Sequence, residues 1–311
     1  MKIGIDILGG DFAPGAPLEG ACLAFAELPA DARLVLIGDQ EQIRSGLKEK
    51  ELDPADFDIV HTTETIGMGE HPVKAFSSKP DSTIATGFRL MTEGKLDAFS
   101  SCGNSGAMLV GSMYTIKSIN GIIRPCITTA FPKESGGFNL LLDVGTNADC
   151  KPDVLYQFAI LGKLFAEHVF GIKNPKVGLL NIGEEPEKGS LVAQNTYTLM
   201  KDSKDFNFIG NVEGRQILND EADVIVCEGF TGNVVLKFAE SVYSKIKSRG
   251  INDEYFNRFN YELYGGTPIL GVNGNVIIGH GISSPLAIKN MILLSYNVAK
   301  AALPEKIKLA F

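Results

Sequence analysis

Leu96-Asp97-Ala98-Phe99-Ser100-Ser101 gives way to Cys102-Gly103-Asn104-Ser105-Gly106-Ala107, so an apolar run breaks on glycine and restarts as a helix-like segment. Such a corner leaves backbone N–H groups without partners at the helix start. With the positive end of the helix dipole, those donors suit an anion such as phosphate. The same pattern recurs at Asp143-Val144-Gly145-Thr146-Asn147, at Gly229-Phe230-Thr231-Gly232-Asn233 and at Gly279-His280-Gly281-Ile282-Ser283-Ser284. Four such corners point to an enzyme that handles phosphate rather than to a passive scaffold.

Around the corners, short apolar runs alternate with longer amphipathic ones. Strands are predicted at Lys2–Leu8, Arg33–Ile37, Phe57–His61, Ala98–Ser101, Ile127–Phe131, Asn139–Val144, Lys176–Ile182, Asn207–Val212, Ala222–Cys227 and Asn275–Ile278. Helices are predicted at Asp153–Phe170, Leu191–Lys201, Val234–Ser248 and Pro285–Ala302. Val224-Ile225-Val226 and Val276-Ile277-Ile278 are apolar on both faces, as strands covered by helices on both sides must be. The alternation predicts an α/β protein with a largely parallel sheet and right-handed crossovers, whose ligands bind beyond the carboxyl ends of the strands. No linker, repeat or low-complexity stretch divides residues 1–311. They read as one α/β domain, divisible at most into two lobes around a cleft, with Lys247–Gly265 its least regular part.

Composition narrows the function. A formal charge of −8 over 311 residues argues against a general nucleic-acid binder, because phosphate-backbone affinity comes mainly from Lys and Arg. The five cysteines lie far apart with no C-x-x-C pair, which reads as reduced thiols of a cytoplasmic protein. The four histidines are equally scattered, so neither a zinc site nor any other metal or cofactor is expected. Asp6 interrupts the apolar start Ile3-Gly4-Ile5-Asp6-Ile7-Leu8, against a signal peptide, and no run reaches the roughly 18 apolar residues of a membrane span. A cytoplasmic protein, at most peripheral to the inner face of the membrane, is the expectation.

Each candidate residue has two local readings. Gly103 can adopt positive φ while Asn104 and Ser105 cap the helix that Gly106 opens: this is either an anion cradle or an ordinary capped start. Lys188, ahead of Gly189-Ser190 and behind Glu184-Glu185-Pro186-Glu187, is either a point charge for phosphate or an oxyanion, or a solvated lysine balancing three acids. Thr231, Gly232 and Asn233 can donate to an oxyanion or serve turn and cap chemistry. Asn147 and Asn181, near strand ends, carry the same ambiguity. His280, between two glycines, suits proton transfer or plain hydrogen bonding. Cys102 has no base beside it in sequence and reads as a small buried filler. The G-x-x-x-x-G-K-[ST] loop, the G-x-S-x-G elbow, H-E-x-x-H and G-x-G-x-x-G after the first strand are all missing.

Taken in order, the motifs are similar to those of the bacterial phosphate acyltransferases of phospholipid synthesis, the PlsX family. The landmarks are Asp6-Ile7-Leu8-Gly9-Gly10-Asp11, Cys102 through Ala107, Leu140-Leu141-Leu142-Asp143-Val144-Gly145, Gly178 through Gly183, Phe208 through Glu213, Asp223 through Asn233, Tyr264-Gly265-Gly266 and Gly279-His280-Gly281. The resemblance implies transfer of a fatty acyl group from acyl carrier protein to inorganic phosphate, giving acyl phosphate. It also implies a homodimer and a three-layer αβα fold with a mixed sheet, like that of isocitrate and isopropylmalate dehydrogenases. Lys188 and Asn233 become its catalytic candidates. Gly103, Asn104, Ser105, Gly106, Asn147, Asn181, Thr231, Gly232 and His280 become its phosphate- and substrate-binding candidates.

Three departures stand out. Phe12 replaces a family histidine; His71 replaces a glutamate ahead of a basic run thinned to Lys74 and Lys79; and residues 237–264, a membrane-associated helical hairpin in the family, are shorter here by about twenty residues. The resemblance therefore implies at most weak peripheral membrane contact. Competing readings are a phosphotransacetylase-like enzyme of short acyl-CoA, a non-catalytic sensor of phosphate or carrier protein, and, last, a nicotinamide-dependent dehydrogenase.

Overall fold

A computed structural model describes residues 1–311. Its strands are β1 (Lys2–Asp6), β2 (Arg33–Gly38), β3 (Asp58–His61), β4 (Ala98–Ser101), β5 (Cys126–Pro132), β6 (Phe138–Leu142), β7 (Lys176–Asn181), β8 (Asn207–Glu213), β9 (Val224–Val226), β10 (Thr267–Leu270) and β11 (Asn275–Ile278). They fall into two compact units. Unit 1 comprises Met1–Ser118 and Tyr261–Pro304; unit 2 comprises Ile119–Asn260 and Glu305–Phe311.

In unit 1 the strand order is β3-β2-β1-β4-β11-β10. Every pairing is parallel except that of β10 with β11. Ile3, Ile5, Ile7, Leu34 and Leu36 face a cluster with Ala21 and Ala24 of the helix Gly15–Glu27 and with Ile288, Met291 and Ile292 of the helix Pro285–Lys300. On the opposite face Phe99 of β4 meets Phe88 of the helix Thr83–Thr92, ring centroids 5.4 Å apart. The strands are thus covered on both sides, which is why their sequences lack a polar face. Each such side chain, fully buried, contributes about 1.5–3 kcal/mol. Gly20 lets the two helices on the first face close up: a Cβ there would stand 2.6 Å from Ile288.

Unit 2 has the order β5-β6-β9-β7-β8, with β5 and β6 an antiparallel hairpin and the rest parallel. The helix Pro152–His168 buries ten of its residues, Val154, Leu155, Phe158 and Phe165 among them. The helix Gly229–Ser248 is its opposite: over 20 residues only Gly229 and Gly232 are buried.

Two elements depart from expectation. The strand β10 goes unpredicted because Gly265 and Gly266 precede it and Pro268, which cannot donate to a ladder, sits inside it. Gly229–Asn233, predicted as a turn ahead of a helix at Val234, is instead the first turn of that helix, because Glu228 caps it. Within 237–264 the chain forms the rest of this helix, a short helix Glu254–Asn257 and a single 3-10 turn at Tyr261–Leu263. No helix is long and apolar enough to cross a membrane.

Candidate active site

In unit 1, loops from the carboxyl ends of β1, β4 and β11 come together. The Asp11 N–H donates to the Gly281 carbonyl at 2.7 Å. Gly10, at φ +100°, lies so close that a Cβ would stand 3.1 Å from both Cys102 and the Gly281 oxygen, which leaves room for glycine alone. Beneath these loops lies Asp6, 1% exposed. Its Oδ2 accepts from Ser101 Oγ at 2.7 Å and its Oδ1 from the Leu8 N–H at 3.0 Å. Ser101 Oγ in turn accepts from the Gly103 N–H at 2.9 Å. Burial pushes the Asp6 pKa up, while donors on Ser101, Thr83, Leu8 and Gly9 pull against it.

Asn104 is the N-cap of the helix Ser105–Gly111, its Oδ1 accepting from the Ala107 N–H at 3.0 Å. Its Nδ2 donates to the carbonyls of Gly67 and Glu70 at 3.0 Å and of Met68 at 3.3 Å. The side chain is therefore engaged at both ends in fixing loop 67–70. What the corner offers a ligand is the exposed Ser105 hydroxyl and the N–H groups of Ser105 and Gly106, which open the helix. The half-buried His280 packs its ring edge-on against Tyr261, centroids 4.8 Å apart.

In unit 2 the residue after β6 is Asp143, 0% exposed. Oδ1 accepts from the Ile127 N–H at 3.0 Å and the Thr146 N–H at 3.3 Å; Oδ2 accepts from Asn147 N–H at 2.6 Å and Nδ2 at 2.9 Å. Asn147 also donates from Nδ2 to the Pro125 carbonyl, so its amide faces inward. Its own carbonyl accepts from the Gly229 N–H at 2.7 Å, tying this loop to the start of the helix Gly229–Ser248. Asn233 donates to the Val144 carbonyl at 3.2 Å, which leaves one amide N–H and its oxygen.

Glu228 had no part in the sequence reading, yet it governs this corner. Its carboxylate accepts from both the N–H and the hydroxyl of Thr231. The helix start thus already holds a negative charge, which disfavours a second anion there. The signal was an acid three residues before Thr231, at the position of a helix cap.

Asn181, at the end of β7, folds the next loop back on itself: Nδ2 donates to the Lys188 carbonyl at 3.1 Å and Oδ1 accepts from the Ile182 N–H at 2.8 Å. Lys188 is exposed and joins no ion pair. Two residues on, Ser190 caps the helix Leu191–Met200 by accepting from the Ala193 N–H at 3.2 Å. The backbone of Lys188 is thus held two residues ahead of a helix cap, with its side chain exposed. Asn181, Gly189, Ser190, Glu228 and Thr231 border a cleft of about 940 Å³ that lies wholly within unit 2.

The thiols are inert. Burial pushes Cys102 up to about 12, and Cys150 likewise; Cys126 and Cys227 are driven well above the ordinary range for the same reason. Cys102 is 2% exposed, the buried filler its sequence setting suggests. Cys102→Ala is expected to leave turnover within about twofold, because a thiol that stays protonated at neutral pH is no nucleophile. A loss of two orders of magnitude in steady-state rate, with native circular dichroism, would contradict this.

Residues 1–251 match the sequence model of a family described as fatty acid synthesis protein. A phosphate acyltransferase of Dictyoglomus thermophilum is 41% identical, over 99% of this chain and 96% of its own length. The chain belongs to the phosphate acyltransferase family. It is therefore an enzyme, and the chemistry that the family name carries is acyl transfer involving phosphate. The alignment spans 326 positions against 311 residues, so that relative carries insertions which this chain lacks.

Among solved structures, a phosphotransacetylase from Streptococcus pyogenes superposes with a TM-score of 0.68 at 17% identity, over 96% of this chain and 94% of that one. A 4-hydroxythreonine-4-phosphate dehydrogenase from Burkholderia phymatum reaches 0.50 at 15%, over 99% and 98%. At such identities the likeness is one of fold: an α/β architecture with a mostly parallel, mixed sheet, shared by phosphotransacylases and a dehydrogenase.

Proposed function

We propose that the chain moves a long-chain fatty acyl group from the thiol of acyl carrier protein to inorganic phosphate, yielding acyl phosphate for phospholipid synthesis. The observation that carries this reading is Lys188, an exposed and unpaired cation held beside a capped helix start at the border of a large, mostly apolar cleft.

Phosphate attacks directly. With a second ionisation near about 6, it is already anionic at neutral pH and needs placement more than deprotonation. One of its oxygens forms the new C–O bond, the C–S bond breaks, and sulfur leaves with the electron pair as a thiolate that later takes a proton from solvent. A carrier thiol of pKa about 8.5 leaves readily in this form. The raised thiol pKa values speak against an acyl-enzyme formed on these cysteines. Lys188 neutralises charge developing on the carbonyl oxygen or the phosphate, which offsets the negative charge that Glu228 brings to the helix start, and the remaining Asn233 N–H donates to that oxygen. In unit 1 the anion donors are the Ser105 and Gly106 N–H groups, in the loop that Gly103 and Asn104 shape. Asn147, Asn181, Thr231 and Gly232 act through the backbone they fix, and His280 lies among the loops at the carboxyl end of β11.

The proposed partners are acyl carrier protein and a second copy of the chain. The helix Gly229–Ser248 supports the homodimer: Phe230, Val234, Phe238 and Val242, spaced by four, form one exposed apolar stripe. Sedimentation velocity showing only monomer at micromolar concentration would remove that support. Flotation with anionic vesicles measures whether the same stripe gives the weak membrane contact instead.

The deciding assay combines purified protein, hexadecanoyl-acyl carrier protein and phosphate. The expected result is phosphate-dependent release of thiol with accumulation of hydroxylamine-reactive acyl phosphate. Activity confined to acetyl-CoA, or carrier binding without thiol release, would overturn the proposal.

A further inference from the structure

The cleft of unit 2 has a composition that selects its occupant. Its floor is made by Leu155 and Leu179, both buried, and its flanks by Leu180, Val192 and Val235. Several polar side chains along it are already engaged within the protein. Asn181 bonds at both ends, Thr231 is held by Glu228, and Ser190 accepts from the Ala193 N–H. Such a wall offers little to a ligand that must be recognised by hydrogen bonds.

Charge narrows the choice further. Asp149, Glu213 and Glu228 all line the cleft, and its one lining cation, Arg215, is already paired with Glu213 at 2.5 Å. A nucleotide or any other polyanion would meet net repulsion along this wall. A long neutral chain would not. Beyond the exposed, paired Arg215, positive charge comes from Lys188, which leads in sequence into the lining residues Gly189 and Ser190.

From this pattern we infer that the cleft is the binding site of the fatty acyl chain, with the methyl end on Leu155 and Leu179 and the reacting carbonyl at the Gly189–Ser190 edge beside Lys188. The assignment rests on the acyl-transfer reading above for the nature of the substrate and extends it to where the chain lies. A volume of about 940 Å³ is far more than an acetyl group occupies, so the cleft has room for a long chain. Burying each methylene strengthens binding by roughly fourfold, so affinity rises with chain length until the cleft is full.

Two half-buried lining residues on different helices test this, Val235 on Gly229–Ser248 and Ala193 on Leu191–Met200. Val235→Phe and Ala193→Phe each fill part of the space, and the second guards against misfolding of the first. Binding is read by fluorescence of cis-parinaric acid, a C18 fatty acid, and its displacement by saturated acids from butanoate to hexadecanoate. The wild type should bind tighter with each added pair of carbons. Either variant, with a native melting curve, should weaken hexadecanoate by at least tenfold and shift the optimum to shorter chains. Unchanged cis-parinaric binding in both variants, or equal weakening at every length, would overturn the assignment. The two proposals fail separately. Length-dependent binding without acyl phosphate formation leaves the chain site and removes the reaction; acyl phosphate formation with an unaltered length profile in both variants removes the site and leaves the reaction.

Discussion

Lys188→Ala is expected to lower the turnover of acyl phosphate formation by about 10²–10³, the usual consequence of removing one group that stabilises an oxyanion. The fold should not notice. Lys188 is exposed and pairs with no acid, although Glu184, Glu185 and Glu187 all lie within four residues of it. A surface change of that kind stays within about 0.5 kcal/mol of wild-type stability. Thermal melts and kcat, measured on the same preparation at saturating phosphate, separate the two effects. Lys188→Arg should recover part of the rate, since the charge is kept but its shape is not. Near-normal turnover in a folded alanine variant would take Lys188 out of the mechanism.

Asp143→Ala should instead damage the fold. Its carboxylate is buried and accepts four hydrogen bonds, from Ile127, Thr146 and, twice, Asn147. Truncation strands those donors away from water, at about 1–3 kcal/mol for each buried group left unsatisfied. The contributions are not additive, but a loss above about 3 kcal/mol is expected, a large share of the about 5–15 kcal/mol that holds a typical protein together. Urea unfolding followed by circular dichroism gives the number. A shift below about 1 kcal/mol would mean that water or a rearranged loop replaces the carboxylate.

These two residues show what the sequence makes visible. The corner around Lys188 is local: strand, acidic loop, Lys-Gly-Ser and helix follow within fifteen residues, so the reading needs no long-range contact. Asn104, Asn147 and Asn181 stand out as loop residues for the same reason. The distant partners of Asn104 and Asn147 do not. Asn104 binds carbonyls 34 to 37 residues earlier in the chain, and Asn147 reaches back to Pro125. Asp143 and Asp6 are hidden differently. Each is the one acid in an apolar stretch, and only packing reveals that it accepts hydrogen bonds under a loop. Glu228 was within reach of a capping argument, but the glycines after it imitate a turn.

The strands of both units are legible as α/β from their two-sided apolar sequences. The boundaries of the two units are not, because the chain leaves unit 1 at Ser118, re-enters it at Tyr261 and leaves again at Pro304.

That interleaving sets an order of events at the ribosome. Chains emerge from the N-terminus, so all five strands of unit 2 are available before residues 267–278 exist. Until then β4 lacks the neighbour that β11 provides and offers a bare row of backbone donors and acceptors, an invitation to the wrong strand. The strands of unit 2 are free to pair while the N-terminal part of unit 1 waits, the reverse of the usual sequence in which N-terminal domains finish first.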